Sequence, residues 1–187
     1  MKIGLVGNCQ SLALCFYLQE LLRGSDHEVR WVCYGQEMAI NLIAWSDKCI
    51  HKITDDEEGI AYLKTCDHII YHPIKATTSK NFSTEQIKSY ATNKLTSVQA
   101  VHFDIASFQD SLAETKRREA LNQIDITVSD IYLSHMDTHT LLLTHNHPTT
   151  FLFLEILRKI CTVLEQPFFS EDQLRTYTSN INYMELP

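Results

Sequence analysis

Short apolar runs of strand length take turns along this chain with stretches whose apolar residues recur at helical spacing, and that order restricts the fold more than any other feature. Lys2 to Val6 is apolar; Leu14, Leu18, Leu21 and Leu22 then follow a helical period until Arg23-Gly24 stops it. Val29 to Tyr34 reads as a second strand and Gln36 to Trp45 as a short helix. Thr54 with Glu57 forms a capping-box pattern for a helix through Lys64, and His68 to Tyr71 is the next strand. Ser83 with Gln86 repeats the pattern for a helix to about Ala91, before a strand from Leu95 to Phe103 and a charged amphipathic helix from Ser107 to Asn122. After a weaker stretch from Thr127 to Met136, Thr140 to Leu143 is strand-like. Phe153, Leu154, Leu157, Ile160, Cys161 and Leu164 then form the stripe of a last long helix. The alternation predicts an α/β fold, a mostly parallel sheet flanked by helices in a flavodoxin-like three-layer arrangement. No repeat, low-complexity tract or Pro/Gly-rich linker divides the 187 residues, so a single domain is expected.

Composition narrows the function classes. With 44% hydrophobic and 21% charged residues the chain is globular, and a formal charge of -7 argues against a protein built around nucleic-acid phosphates. The cysteines at 9, 15, 33, 49, 66 and 161 include no Cys-x-x-Cys pair and have mostly apolar neighbours, the pattern of reduced thiols in a cytoplasm. The first apolar run ends at Gly7, too early for a signal-peptide core, and no run approaches the roughly 20 residues of a membrane span. A soluble cytoplasmic protein is expected.

Parallel sheets hold ligands beyond the carboxyl ends of their strands. Four predicted strands end in polar clusters: Gly7-Asn8-Cys9-Gln10, His72-Pro73, His102-Phe103-Asp104 and His145-Asn146-His147-Pro148. If all these strands are parallel, the clusters share one edge. Cys9 would stand in a first helical turn, where unpaired backbone N–H groups favour a thiolate and draw the thiol pKa from about 8.5 toward neutrality. Gly7 would allow the tight turn, and the amides of Asn8 and Gln10 could hold an oxyanion. A small buried cysteine beside an asparagine helix cap accounts for the same residues without chemistry. Pro148 would open the last long helix and leave His147 at the sheet edge, placed to take the Cys9 proton as a general base. An exposed or capping histidine is the structural alternative.

His135 and His139 stand at the i, i+4 spacing that can share a metal, but no Glu lies between them in the metalloprotease pattern, and no metal is expected. Neither Gly-x-Gly-x-x-Gly nor a phosphate-loop lysine motif is present, so ATP and dinucleotide chemistry lack support. Lys75, Lys80 and Thr77-Thr78-Ser79, after His72-Pro73, offer donors to a different anion. Lys116-Arg117-Arg118 reads as a solvated helix face shared with Glu114 and Glu119.

In this order, Gly7-Asn8-Cys9-Gln10, Phe103-Asp104 and Asn146-His147-Pro148-Thr149, with His72-Pro73 as a looser fourth landmark, resemble the WcbI-type family of polysaccharide-biosynthesis acetyltransferases, linked to capsule assembly and to coenzyme A. A polar Gly-Asn-Cys after the first strand and a late His-Pro resemble, more distantly, the first and last blocks of SGNH hydrolases, with Cys9 where their serine stands. Three positions before His147, where those hydrolases usually carry an acidic residue, this chain has Thr144. The resemblance implies acetyl transfer from acetyl-CoA to a sugar hydroxyl, with Cys9, His147 and Gln10 in catalytic roles and Gly7, Asn8, Ser11, His72, Lys75 and Asn146 at the cofactor. The expected partners are an acyl donor and a saccharide acceptor. A Cys-His esterase or thioesterase, and a non-catalytic binding module, remain open on the same residues.

Overall fold

The computed structural model describes residues 1–33, 52–73, 81–103, 108–144 and 146–178. The predicted helix from Gln36 to Trp45, together with Lys75, Lys80, Asp104 and His145, lies outside them. The backbone groups into two compact units, Met1–Val98 and Gln99–Pro187.

The first unit is built on a parallel sheet of β1 (Lys2–Gly7), β2 (Glu28–Cys33), β3 (Lys52–Ile53), β4 (His68–Tyr71) and β5 (Lys94–Ser97). Its strand order is β3-β2-β1-β4-β5, and with the two-residue edge strand β3 set aside, the longer strands run second, first, third, fourth, as a flavodoxin-like sheet begins. Helix α1 (Cys9–Leu21) packs against β1 and β2, and α2 (Asp56–Leu63) against β2 and β3. The alternation of side chains along each strand puts these helices on opposite faces. Trp31 reaches Ser11 of α1, whereas its neighbour Val32 joins Val6, Ile53, Leu63, Ile69, Phe82 and Ile87 in the core under α2 and α3 (Thr84–Tyr90). Gly59 lets α2 come close: a Cβ there would stand 2.7 Å from Val32 Cγ1. A parallel sheet with helices on both faces is the architecture that the alternation of periodicities predicts.

Two boundaries in this unit differ from expectation. The cap of α2 is Asp55, not Thr54; its carboxylate accepts from Glu58 N at 2.9 Å, because the first of two successive aspartates is the residue left in extended backbone. The strand predicted from Leu95 to Phe103 ends at Ser97, since Val98 N still donates to Tyr71 O but Gln99 N turns to Ile126 O.

The second unit holds α4 (Phe108–Asn122), α5 (Ser129–His135), a hairpin of β6 (Leu142–Thr144) and β7 (His147–Pro148), α6 (Thr150–Leu164) and α7 (Glu171–Thr178). Phe103 stacks on Phe108 and lies tilted against Tyr132, and Lys159 of α6 binds Asp130 of α5 at 2.6 Å. Arg117 and Arg118 both pair with Glu114 on the wet face of α4, but Glu119, expected on that face, is buried. Its Oε1 accepts from Val128 N and Ser129 N and its Oε2 from Ser129 Oγ, so it caps α5, which lacks a side-chain cap of its own. The strand predicted from Thr140 to Leu143 is found as β6, which pairs antiparallel with β7 and is not a strand of the parallel sheet. Pro148 lies in β7 instead of the first helical turn; Thr149 caps α6 by accepting from Leu152 N.

Candidate functional site

β1 is the point at which the sheet reverses direction: β2 and β3 follow on one side of it, β4 and β5 on the other. The helices that leave its two flanks diverge, and the carboxyl ends of β1 and β4 meet at the crevice where such sheets take ligands. Val6 pairs with Tyr71 and His72 N donates to Val6 O at 3.1 Å, so Gly7 and His72 stand side by side at that point. Of the four polar clusters, the first two are therefore at the carboxyl edge of the parallel sheet. The third begins beyond the end of β5 and the fourth belongs to the β6–β7 hairpin.

Gly7 has φ +155°, and a Cβ on it would lie 2.9 Å from both His72 Cδ2 and Ser11 Oγ. The residue is a glycine because the imidazole occupies the room a side chain would need. Asn8 is the helix cap, its Oδ1 accepting from Gln10 N at 3.0 Å. Ser11, expected near a cofactor, has its hydroxyl engaged inside the protein: it donates to Asn8 O at 2.8 Å and accepts from Trp31 Nε1 at 2.9 Å. Gln10 is buried. These contacts lock the turn from β1 into α1 and set Cys9, half-buried, at the helix N-terminus.

The expectation of a thiolate at Cys9 is corrected. Burial pushes its pKa up, and the N–H groups of Gln10 and of Cys9 itself pull it down by less. The helix-end effect is present, but removal of the sulfur from water outweighs it, because desolvation penalises only the charged form. Cys9 is a thiol at neutral pH, and any attack by it requires a base.

His72 is buried, and Nδ1 lies 2.9 Å from Val98 O. A carbonyl oxygen accepts only, so Nδ1 carries the proton and Nε2 the lone pair. Burial lowers the pKa from 6.5 to about 4, against the opposing pull of Val98 O, and keeps the ring neutral. Among the described residues, no group pairs with Nε2.

In the second unit, exposed His147 has Nδ1 2.5 Å from Thr144 Oγ1, and Thr144 donates to Asn146 Oδ1 at 3.3 Å. With the proton on Nδ1, His147 donates to the Thr144 hydroxyl and Nε2 is left as the basic nitrogen. The Thr144 hydroxyl thus meets the imidazole from three residues before it. His139 stacks on Phe151 with centroids 3.8 Å apart, and His135 meets the same ring edge-on. Among the described residues, no three His, Cys, Asp or Glu side chains gather as a metal site. None of the described helices is long and apolar enough to cross a membrane.

No family model and no curated protein matches the sequence. Among solved structures, the fold is similar to that of WcbI, a polysaccharide biosynthesis enzyme, with a TM-score of 0.63 and 17% identity over 92% of this chain and 71% of that one. The WcbI structure is the native protein without a disulfide bond between coenzyme A and one of its cysteines. At this identity the likeness establishes the α/β fold.

The structure gathers Gly7, Asn8, Cys9, Gln10, Ser11 and His72 at one end of the first unit's sheet, and Asn146 and His147 at the hairpin of the second. Lys75 lies outside the described residues. Sequence reasoning missed Trp31 and Val98 as supports of this site. The sole advance signal for either is that both sit near the carboxyl ends of predicted strands, as any apolar strand residue can.

Proposed function

We propose that this protein is an acyltransferase of polysaccharide biosynthesis, moving an acetyl group from acetyl-CoA to a sugar hydroxyl by way of Cys9. The observation that carries the reading is the Cys9 thiol in the first turn of α1 at the reversal point of the sheet, facing the N–H groups of Cys9 and Gln10. Backbone donors there suit the oxygen that becomes negative when a thioester carbonyl is attacked. The likeness to WcbI, whose structure is described by reference to coenzyme A and a cysteine, supports the choice of acyl donor.

In this mechanism His147 Nε2 takes the Cys9 proton as sulfur bonds to the thioester carbonyl carbon. The bond from that carbon to the coenzyme A sulfur breaks, and the imidazolium returns its proton to the departing thiolate. A sugar hydroxyl then gives its proton to His147 and attacks the acetyl-Cys9 carbonyl, which releases the ester and a thiolate that recovers the proton. Because Cys9 is protonated at rest, the base is indispensable.

The test is release of coenzyme A from acetyl-CoA with and without saccharide acceptors. Cys9→Ala and His147→Ala should each lower acceptor-dependent turnover by at least about 100-fold while coenzyme A still binds in calorimetry. Full turnover in either variant, or no binding by the unaltered protein, overturns the proposal. Equal release with and without acceptors would make the protein a thioesterase.

A further inference from the structure

The imidazole of His72 has a nitrogen that no described residue uses. Its Nδ1–H is spent on Val98 O, and ring geometry directs the Nε2 lone pair away from Val98, on the ring edge whose Cδ2 packs against Gly7. Two donors on the α1 side are already committed: Ser11 donates its hydroxyl proton to Asn8 O, and Trp31 donates its N–H to Ser11. Nε2 is thus a fully buried acceptor without a partner among the described residues, at the reversal point of the sheet and beside the turn that carries Cys9. Buried polar groups are almost always paired, because an unpaired one forfeits the hydrogen bond that water gave it. Such a group, in a place where ligands enter parallel sheets, has a functional explanation at hand.

We propose that His72 is a ligand-binding acceptor of the β1–β4 crevice: its Nε2 takes an N–H or O–H donor of the bound acyl donor, of the kind that the amides and hydroxyl of coenzyme A's pantetheine arm provide, and fixes that arm beside the first turn of α1. This rests on the acyltransferase reading and adds to it the contact by which the donor is held. His72 is not the base for Cys9 in this scheme. A neutral ring that protonates only near pH 4 accepts a hydrogen bond but does not remove a thiol proton at neutral pH.

Two substitutions separate a ligand contact from a purely structural role. His72→Asn keeps a donor at the Nδ1 position, and so the bond to Val98 O, but removes the acceptor. His72→Gln extends an acceptor toward the Nε2 position and loses the Val98 bond. If His72 serves the ligand, calorimetry shows coenzyme A bound about tenfold more weakly by His72→Asn and less weakened in His72→Gln. If His72 only ties β4 to Val98, the order reverses. In the unaltered protein labelled with 15N-histidine, the unprotonated Nε2 resonance should move upfield when coenzyme A is added, the direction that accepting a hydrogen bond produces. Unchanged affinity in His72→Asn with an unmoved Nε2 resonance overturns the proposal and leaves the acyltransferase reading standing. Failure of the unaltered protein to bind coenzyme A overturns both.

Discussion

At the scale of single residues, two buried or half-buried side chains carry chemistry that burial has changed. Cys9 alkylation by iodoacetamide should accelerate with hydroxide from pH 7 to pH 9 without a plateau, because burial holds the thiol above its ordinary range. A plateau already reached at pH 7, read from peptide mass analysis, would show a stabilised thiolate. Cys33 and Cys161 are pushed up to about 11 and Cys66 to about 12 by burial, and should stay unlabelled in the folded protein. His72 gives a second test. Its folded pKa is about 4 against 6.5 for the free group, so between these values the unfolded chain binds a proton that the folded chain refuses. Stability therefore falls as pH drops from 6.5 to 4, by up to about 3 kcal/mol from this group. Urea midpoints at pH 7 and pH 5 measure the slope, which His72→Asn should flatten. The position of Cys9 in a first helical turn was legible, since an apolar strand, a glycine and a capping asparagine precede it. The direction of its pKa shift was not, because the sequence shows the helix-end amides but not how much water the fold removes.

At the scale of elements, caps were legible wherever local chemistry admits one answer. Ser83 accepts from Gln86 N at 3.3 Å, as its spacing predicts, whereas Thr54-Asp55-Asp56 offers three capping residues in a row and the backbone selects the middle one. The overrun of β5 has a similar origin: apolar residues continue through Val98, Val101 and Phe103, all buried, but they serve a loop and the aromatic cluster with Tyr132. Glu119 was illegible, since its three hydrogen bonds join positions about ten residues apart. Glu119→Ala should destabilise the protein by about 2–4 kcal/mol in urea denaturation, because it strips the cap from α5 and leaves three buried donors unpaired. A loss below about 0.5 kcal/mol would contradict that role. Gly7→Ala should likewise lower the midpoint, since the methyl group would have to displace His72 or Ser11 and the residue would keep a φ that side chains rarely adopt. Unchanged stability in this variant would mean that the turn adjusts freely.

At the scale of the whole molecule, alternating periodicities made the parallel sheet and its helices legible. The two-stranded hairpin carrying His147 was not, because a three-residue strand has the same pattern in either kind of sheet. The central claim is that Cys9 becomes the acyl carrier of a coenzyme A-dependent transfer. The most direct measurement is intact mass after acetyl-CoA is mixed with the protein in the absence of acceptor and quenched with acid. The account predicts one acetyl group, mapped to Cys9, formed more slowly in His147→Ala and absent in Cys9→Ala. An unmodified protein that nonetheless binds acetyl-CoA, or an adduct that persists in Cys9→Ala, would contradict it.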